Sequence, residues 1–157
     1  MKIVLATHNQ GKIREFRKAF AEIGWEALPI AEVADVAEPE ETGTSFKENA
    51  LLKAHYYAKA VKLPVLSDDS GIIADALGDR PGIYSARYAG VHGDDEANNR
   101  KLVEDLKPYT GEDRKGRYVC VVALVWPDGM EEKNKISHRG RALRSLLAKL
   151  KDSALSR

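Results

Sequence analysis

Three groups of residues have the types and spacing that phosphate and metal chemistry needs. The first is Thr7-His8-Asn9-Gln10-Gly11-Lys12, set between an apolar segment and a helical pattern. A helix N-terminus presents N–H groups without intrahelical acceptors and a partial positive charge, so a turn entering one suits anions. Thr7 and Asn9 add side-chain donors, Gly11 lets the backbone approach closely, and Lys12 adds a full charge. It is not a Walker P-loop, which has a leading glycine and a Ser or Thr after the lysine. An ordinary βα turn with a polar cap fits the same residues.

The second group is Asp68-Asp69-Ser70-Gly71, at the end of a short apolar run. Successive side chains of an extended segment point to opposite faces, so the two aspartates are not expected to share one ligand. One would hold Mg²⁺ while the other caps or braces the turn. Mg²⁺ takes one or two protein carboxylates and completes its shell with phosphate oxygens and water. Glu40 or Glu41 is placed to supply the second carboxylate. A common Asp-Ser-Gly turn is the plainer reading. The third group is Lys133 with Ser137-His138-Arg139 ahead of the last helix. Cations at a helix start oppose the macrodipole unless an anionic ligand sits there. Neutral His138 offers one donor and one acceptor, which suits a nucleobase edge or a proton transfer. A solvated basic helix start accounts for the same residues.

The elements that must position these groups follow from periodicity. Lys2–Ala6 reads as a strand, and Ile13, Phe16, Phe20 and Ile23 form one face of a helix ending near Gly24. Glu26–Ile30 reads as a second short strand, and Ala31–Thr42 as an acidic connector. Ser45 with Glu48 forms a capping box that opens a helix ended by Pro64. Val65–Ser67 is a short buried strand, Gly78–Gly90 an ordered loop, and Asp94 or Asp95 caps a helix closed by Pro108. Arg117–Trp126 is the longest strand, and a basic terminal helix carries Leu143, Leu146, Leu147 and Leu150 on one face. Cys120, Trp25, Trp126, Tyr84 and Tyr88 read as packing residues. Strands interleaved with helices predict a single α/β domain over residues 1–157.

Composition narrows the function class. The 157 residues hold 25 Lys+Arg against 24 Asp+Glu, which excludes a generally polybasic nucleic-acid binder. The 43% hydrophobic content is too high for a disordered chain. The single cysteine makes no intramolecular disulfide, and no apolar run reaches the ~18–20 residues of a membrane span. These features predict a cytoplasmic protein with no nucleic-acid or membrane partner. Charge is unevenly placed, with a balance of −5 over residues 31–48 and +5 over 130–157. Two solvated faces would show this, and so would a cleft with an acidic wall for a metal and a basic wall for phosphates.

The segments ATHNQGK, EETGTSFKENALLKA, LSDDSGI, ALGDRPGIYSARYAG and EEKNKISHRGRAL resemble the inosine triphosphate pyrophosphatase, or Ham-like, family, in that family's order. The resemblance implies Mg²⁺-dependent hydrolysis of ITP, dITP and XTP to the monophosphate and pyrophosphate, which removes non-standard purines from the nucleotide pool. It also implies a homodimer and a mixed central sheet flanked by helices, with a cleft between two lobes. Carried over residue by residue, it makes Thr7, His8, Asn9, Gln10, Gly11 and Lys12 phosphate-binding. Asp69 becomes the catalytic, metal-linked carboxylate, Glu40 its metal-binding partner, Ser70 a substrate contact and Lys53 a phosphate neighbour. Lys133, His138 and Arg139 would meet the purine. One departure stands out. The family carries a strand pair and a Phe-Gly-Tyr-Asp loop between the long strand and the EEKN segment, whereas here Gly129 joins Met130 directly. The absent residues would supply the aromatic that stacks on the base and part of the central sheet. The alternative is therefore an internally deleted, catalytically inert scaffold that keeps the fold.

Overall fold

A computed structural model describes residues 1–136 and 139–155, with side chains described for 1–131 and 141–152. Five strands form one mixed sheet in the order β2–β1–β3–β4–β5. They are β1 (Lys2–Leu5), β2 (Glu26–Pro29), β3 (Val65–Ala74), β4 (Gly116–Val125) and β5 (Glu131–Ile136). β1 runs parallel to both β2 and β3, β4 is antiparallel to β3, and β5 is antiparallel to β4. The helices are α1 (Gln10–Ala21), α2 (Ile30–Val33), α3 (Phe46–Val61), α4 (Asp95–Leu106) and α5 (Arg139–Leu155).

Alternation along the strands divides the core into two layers. Ile3, Leu5, Leu66, Cys120, Val122 and Leu124 face α1 and α5, where Phe16, Phe20, Leu143 and Leu146 cover them. Val4, Val65 and Val125 face α2 and α3, packing on Ile30, Ala54 and Tyr57. Val119, Val121 and Ala123 extend this second face under Phe46 and Ala50. From β1 the chain crosses by α1 to β2 on one side, and later by α3 to β3 on the other. That reversal opens a crevice beyond the carboxyl ends of β1 and β3, the usual ligand position in such sheets.

The start of the expected connector forms the short helix α2, and two segments of the sheet also differ from the sequence reading. The strand expected to stop at Ser67 continues to Ala74, so Asp68-Asp69-Ser70-Gly71 lies within a strand and not in a turn. Pairing with β4 along all ten residues, from Val65↔Val125 to Ala74↔Gly116, outweighs the local turn preference. The second difference is at the shortened junction. Trp126 N–H donates to the Met130 carbonyl at 2.9 Å and Gly129 N–H to the Trp126 carbonyl at 2.9 Å. Gly129 takes φ 88°, which glycine adopts at little cost. The turn makes a hairpin, and Glu131–Ile136, expected to lead into the last helix, forms β5 beside β4. Among the described residues no helix is long and apolar enough to cross a membrane.

Candidate active site

The turn between β1 and α1 builds an anion site from few parts. Asn9 is the N-cap of α1, its Oδ1 accepting from the Lys12 N–H at 3.0 Å. Its own N–H donates to Thr7 Oγ1 at 3.2 Å. Those two bonds satisfy the first and last of the four exposed donors of the helix start. Among the described residues, the Gln10 and Gly11 N–H groups take no acceptor. A Cβ on Gly11 would come within 3.2 Å of Asn9 Oδ1, so glycine keeps the cap undisturbed.

β3 places its two aspartates on opposite faces. Asp68 faces α1 and accepts from Lys12 Nζ at 2.8 Å, so it braces the lysine of the anion turn. Asp69 faces α3 together with Ser67, whose hydroxyl donates to the Ala50 carbonyl. Asp69 Oδ1 accepts the Ser70 N–H at 3.1 Å, while Oδ2 is buried with no hydrogen-bond partner. Burial pushes the Asp69 carboxyl up to about 7; Glu41 and Asp68 add to the rise, and Lys53 and Asn49 oppose it. A buried polar atom without a partner costs free energy, and such atoms concentrate where a ligand completes the site.

α3 and the connector before it supply the rest. Lys53 Nζ donates to the Asp68 carbonyl at 2.7 Å and lies 3.0 Å from Glu41 Oε1. Burial alone would lower the Lys53 ammonium, but Asp68, Glu41 and Asp69 together hold its pKa above the ordinary value. Lys53 therefore stays charged. Arg87 approaches the other Glu41 oxygen at 3.8 Å. The connector is held at its end by two side chains of α3. Asn49 Oδ1 accepts the Gly43 N–H at 2.8 Å, and Glu48 Oε2 accepts the Thr44 N–H at 2.6 Å. Ser45 caps α3 as the capping-box spacing predicted, its Oγ accepting the Glu48 N–H at 3.1 Å.

These pieces line a cleft of about 660 Å³. Its second wall comes from the lobe formed by a 3₁₀ turn over Gly82–Arg87 and by α4. Ser85 Oγ ties this lobe to the sheet by accepting the Ile72 N–H at 3.0 Å. Gly71 has no room for a side chain, since a Cβ there would meet the Gly82 carbonyl and the Ser85 hydroxyl.

Of the residues singled out from the sequence, Thr7, His8, Asn9, Lys12, Lys53, Asp69 and Ser70 line the cleft. Gln10 and Gly11 belong to the same turn without lining it. Glu40 and Glu41 are placed differently. Glu40 is exposed and outside the cleft, while Glu41 points in and pairs with Lys53. Neighbours in an irregular stretch point in different directions, and the Lys53 contact selects Glu41. Lys133 lies on β5 opposite Ala123, and Arg139 opens α5. The side chains of both, and His138 altogether, fall outside the described residues. Asn49, Ser85 and Tyr118 were not anticipated. Asn49 sits one residue past the capping-box glutamate, but nothing local marks an asparagine there as buried.

The Ham1 family model matches residues 3–132, most of the chain, and its span ends beside the β4–β5 turn. The chain belongs to the Ham1 family. A dITP/XTP pyrophosphatase of Thermus thermophilus is 41% identical, the match covering 97% of this chain and 93% of that protein. That alignment runs over 194 positions, more than the 157 residues here, so this Ham1 chain lacks residues its relative carries inside the aligned span. A dITP/XTP pyrophosphatase of Bacillus subtilis is 45% identical over 86% of this chain and 68% of its own length. The solved Ham1 protein of Staphylococcus aureus superposes with a TM-score of 0.75 at 42% identity, covering 86% of this chain and 68% of that one.

Proposed function

We propose that this Ham1-family chain hydrolyses dITP, ITP and XTP to the nucleoside monophosphate and pyrophosphate in a Mg²⁺-dependent reaction. The observation that carries the reading is Asp69, a buried carboxylate with an orphaned oxygen and a raised pKa beside a charged lysine, in a cleft also lined by Thr7, Asn9 and Lys12 of the anion turn. Relatives that the chain matches over most of its length are dITP/XTP pyrophosphatases, which supports the substrate class.

The donor set fits a magnesium ion. Asp69 Oδ2 is unclaimed, Glu41 stands beside Lys53 at the same edge of the cleft, and hard oxygen ligands of this kind suit Mg²⁺. Two carboxylates suffice when phosphate oxygens complete the shell. When bound, Mg²⁺ supplies the positive charge that neutralises the triphosphate. The chain's own residues do the rest. Thr7, Asn9 and Lys12, which line the cleft, hold phosphate oxygens and fix the chain of phosphates in the crevice. Lys53 adds fixed positive charge where negative charge builds up on the leaving pyrophosphate. Water adds through oxygen to the α-phosphorus, the bond to the bridging oxygen of the β-phosphate breaks, and pyrophosphate departs with that electron pair. With Oδ2 given to the metal, Asp69 orients the attacking water, whose proton passes to bulk solvent.

The decisive experiment incubates the purified protein with dITP and Mg²⁺ and separates the products. Equal amounts of dIMP and pyrophosphate support the reading; orthophosphate as first product, or no turnover with the fold intact, overturns it. The 194-position alignment favours one rival, a scaffold that kept the fold without catalysis, and the same assay decides it. Because the family's base-covering loop is absent, we expect slow turnover with poor discrimination between ITP and ATP. Base-edge hydrogen bonds discriminate best when water is excluded. A homodimer in the cytoplasm belongs to the same proposal, its subunit count read by light scattering after gel filtration.

A further inference from the structure

The cleft contains an aromatic ring that the hydrolytic reading leaves unused. Tyr118 stands on β4 opposite Ile72 of β3, lines the cleft, and is 42% exposed. From Val119 to Val125 the same strand is buried without interruption. The other tyrosine lining the cleft, Tyr57, is 2% exposed and packs in the core beside Ala54 and Ile30. Among the described Phe, Tyr and Trp residues that line the cleft, Tyr118 is thus the one whose ring is open to it. Its hydroxyl donates to Ser70 Oγ at 3.2 Å, which ties the ring to the residue after Asp69.

Position along β3 gives the ring its meaning. The anion turn follows β1, and Ala6 N–H bonds the Leu66 carbonyl at 2.8 Å, so phosphates enter level with the first residues of β3. The carboxylates come next at Asp68 and Asp69. Ile72, the partner of Tyr118, lies three residues beyond Asp69, about 10 Å along an extended strand. An α-phosphate and its purine are separated by about one ribose, which spans a gap of this kind. Ser70, between the two, shares its strand face with Asp68 and Ile72. On the face shared by Asp68, Ser70 and Ile72, the Lys12–Asp68 pair of the phosphate anchor, the Ser70 hydroxyl and the Tyr118 ring therefore follow one another in the order of the parts of a nucleoside triphosphate. Asp69 lines the same cleft from the other face of the strand.

We propose that Tyr118 is the aromatic wall against which the purine of the substrate lies. The inference rests on the nucleotide reading above and names a residue for its base. A stacked base is worth roughly 1–3 kcal/mol by truncation in nucleic-acid sites. The ring is held by the strand and by Ser70, so it needs no ordering when the base arrives.

The test uses two probes, IMP and inorganic tripolyphosphate, with binding measured by calorimetry on the full chain in EDTA so that no metal-dependent hydrolysis contributes heat. Tyr118→Leu should weaken IMP binding at least fivefold and leave tripolyphosphate binding within twofold of the parent. Tyr118→Phe keeps the ring and should bind both as the parent does. Tyr118→Trp should retain IMP binding and report it as a fluorescence change that tripolyphosphate does not cause. Unchanged IMP binding in Tyr118→Leu overturns the proposal. So does equal weakening of both probes, which would make the ring a structural support, or failure of the parent to bind IMP. Should Tyr118→Leu not fold, Tyr118→Trp decides, because a silent indole on IMP binding also overturns it. Hydrolysis of dITP is scored separately, so an inert protein that still binds IMP through Tyr118 sinks the catalytic reading and leaves this one standing.

Discussion

Asp68 and Asp69 are neighbours in the chain and opposites in environment. Asp68 points towards α1, where Lys12 Nζ meets its carboxylate at 2.8 Å. Asp69 points towards α3, where burial and nearby carboxylates outweigh the pull of Lys53 and leave Oδ2 without a partner. One residue of strand register separates a charge that is matched from one that is poised. The comparison teaches that the pleat assigns the environments: identical side chains are sent to opposite layers, one paired with a lysine and the other buried with one oxygen unpartnered.

The largest effect that tests this difference is loss of turnover. Asp69→Asn should lower pyrophosphate release by roughly 10³-fold or more if, as proposed, it removes a metal oxygen beside the attacking water. Parent-like rates in that variant would show that the poised carboxylate is not the catalytic one. Glu41→Gln should cost on the order of 10–100-fold and raise the Mg²⁺ concentration needed for half-maximal rate, while Glu40→Gln stays within twofold. Equal effects at the two positions would remove the preference for Glu41 over Glu40. Asp68→Asn should be milder, about tenfold, and appear mainly in KM, because a less firmly held Lys12 still carries its charge to the phosphates. A loss as large as that of Asp69→Asn would erase the distinction between the faces.

The smallest effect concerns stability and carries a definite sign. The folded-state pKa of Asp69, about 7, lies above the ordinary 3.8, so the protonated form favours folding. The cost of the ionised form is absent below about pH 3.8, grows as the pH rises, and is complete above about pH 7. Without divalent cation, Asp69→Asn should therefore raise Tm by roughly 5 °C at pH 8 and leave it nearly unchanged at pH 4. Thermal melts at the two pH values measure this. An Asn variant less stable than the parent at pH 8 would mean that the carboxylate is a satisfied structural group.

The sequence alone determined the elements with strong local signals. The Ile13, Phe16 and Phe20 stripe, the Ser45–Glu48 capping box and a cap at Asp94 or Asp95 each specify a helix by contacts within one or two turns; all three helices form, the last capped by Asp94. The opposed faces of Asp68 and Asp69 also followed from the period of an extended chain. Tertiary structure decided what depends on partners distant in sequence. Asp68–Gly71 has the composition of a turn, yet β4, some 50 residues later, draws it into a strand. Glu131–Ile136 carries four charged residues in six and no apolar alternation, so only a tight turn beside β4 makes it a strand. Glu40 and Glu41 are indistinguishable in sequence, and the choice between them falls to Lys53 on a helix that begins later. Local patterns report local energies; register, layer and the selection of one carboxylate over its neighbour are set by pairings between segments that meet only in the folded chain.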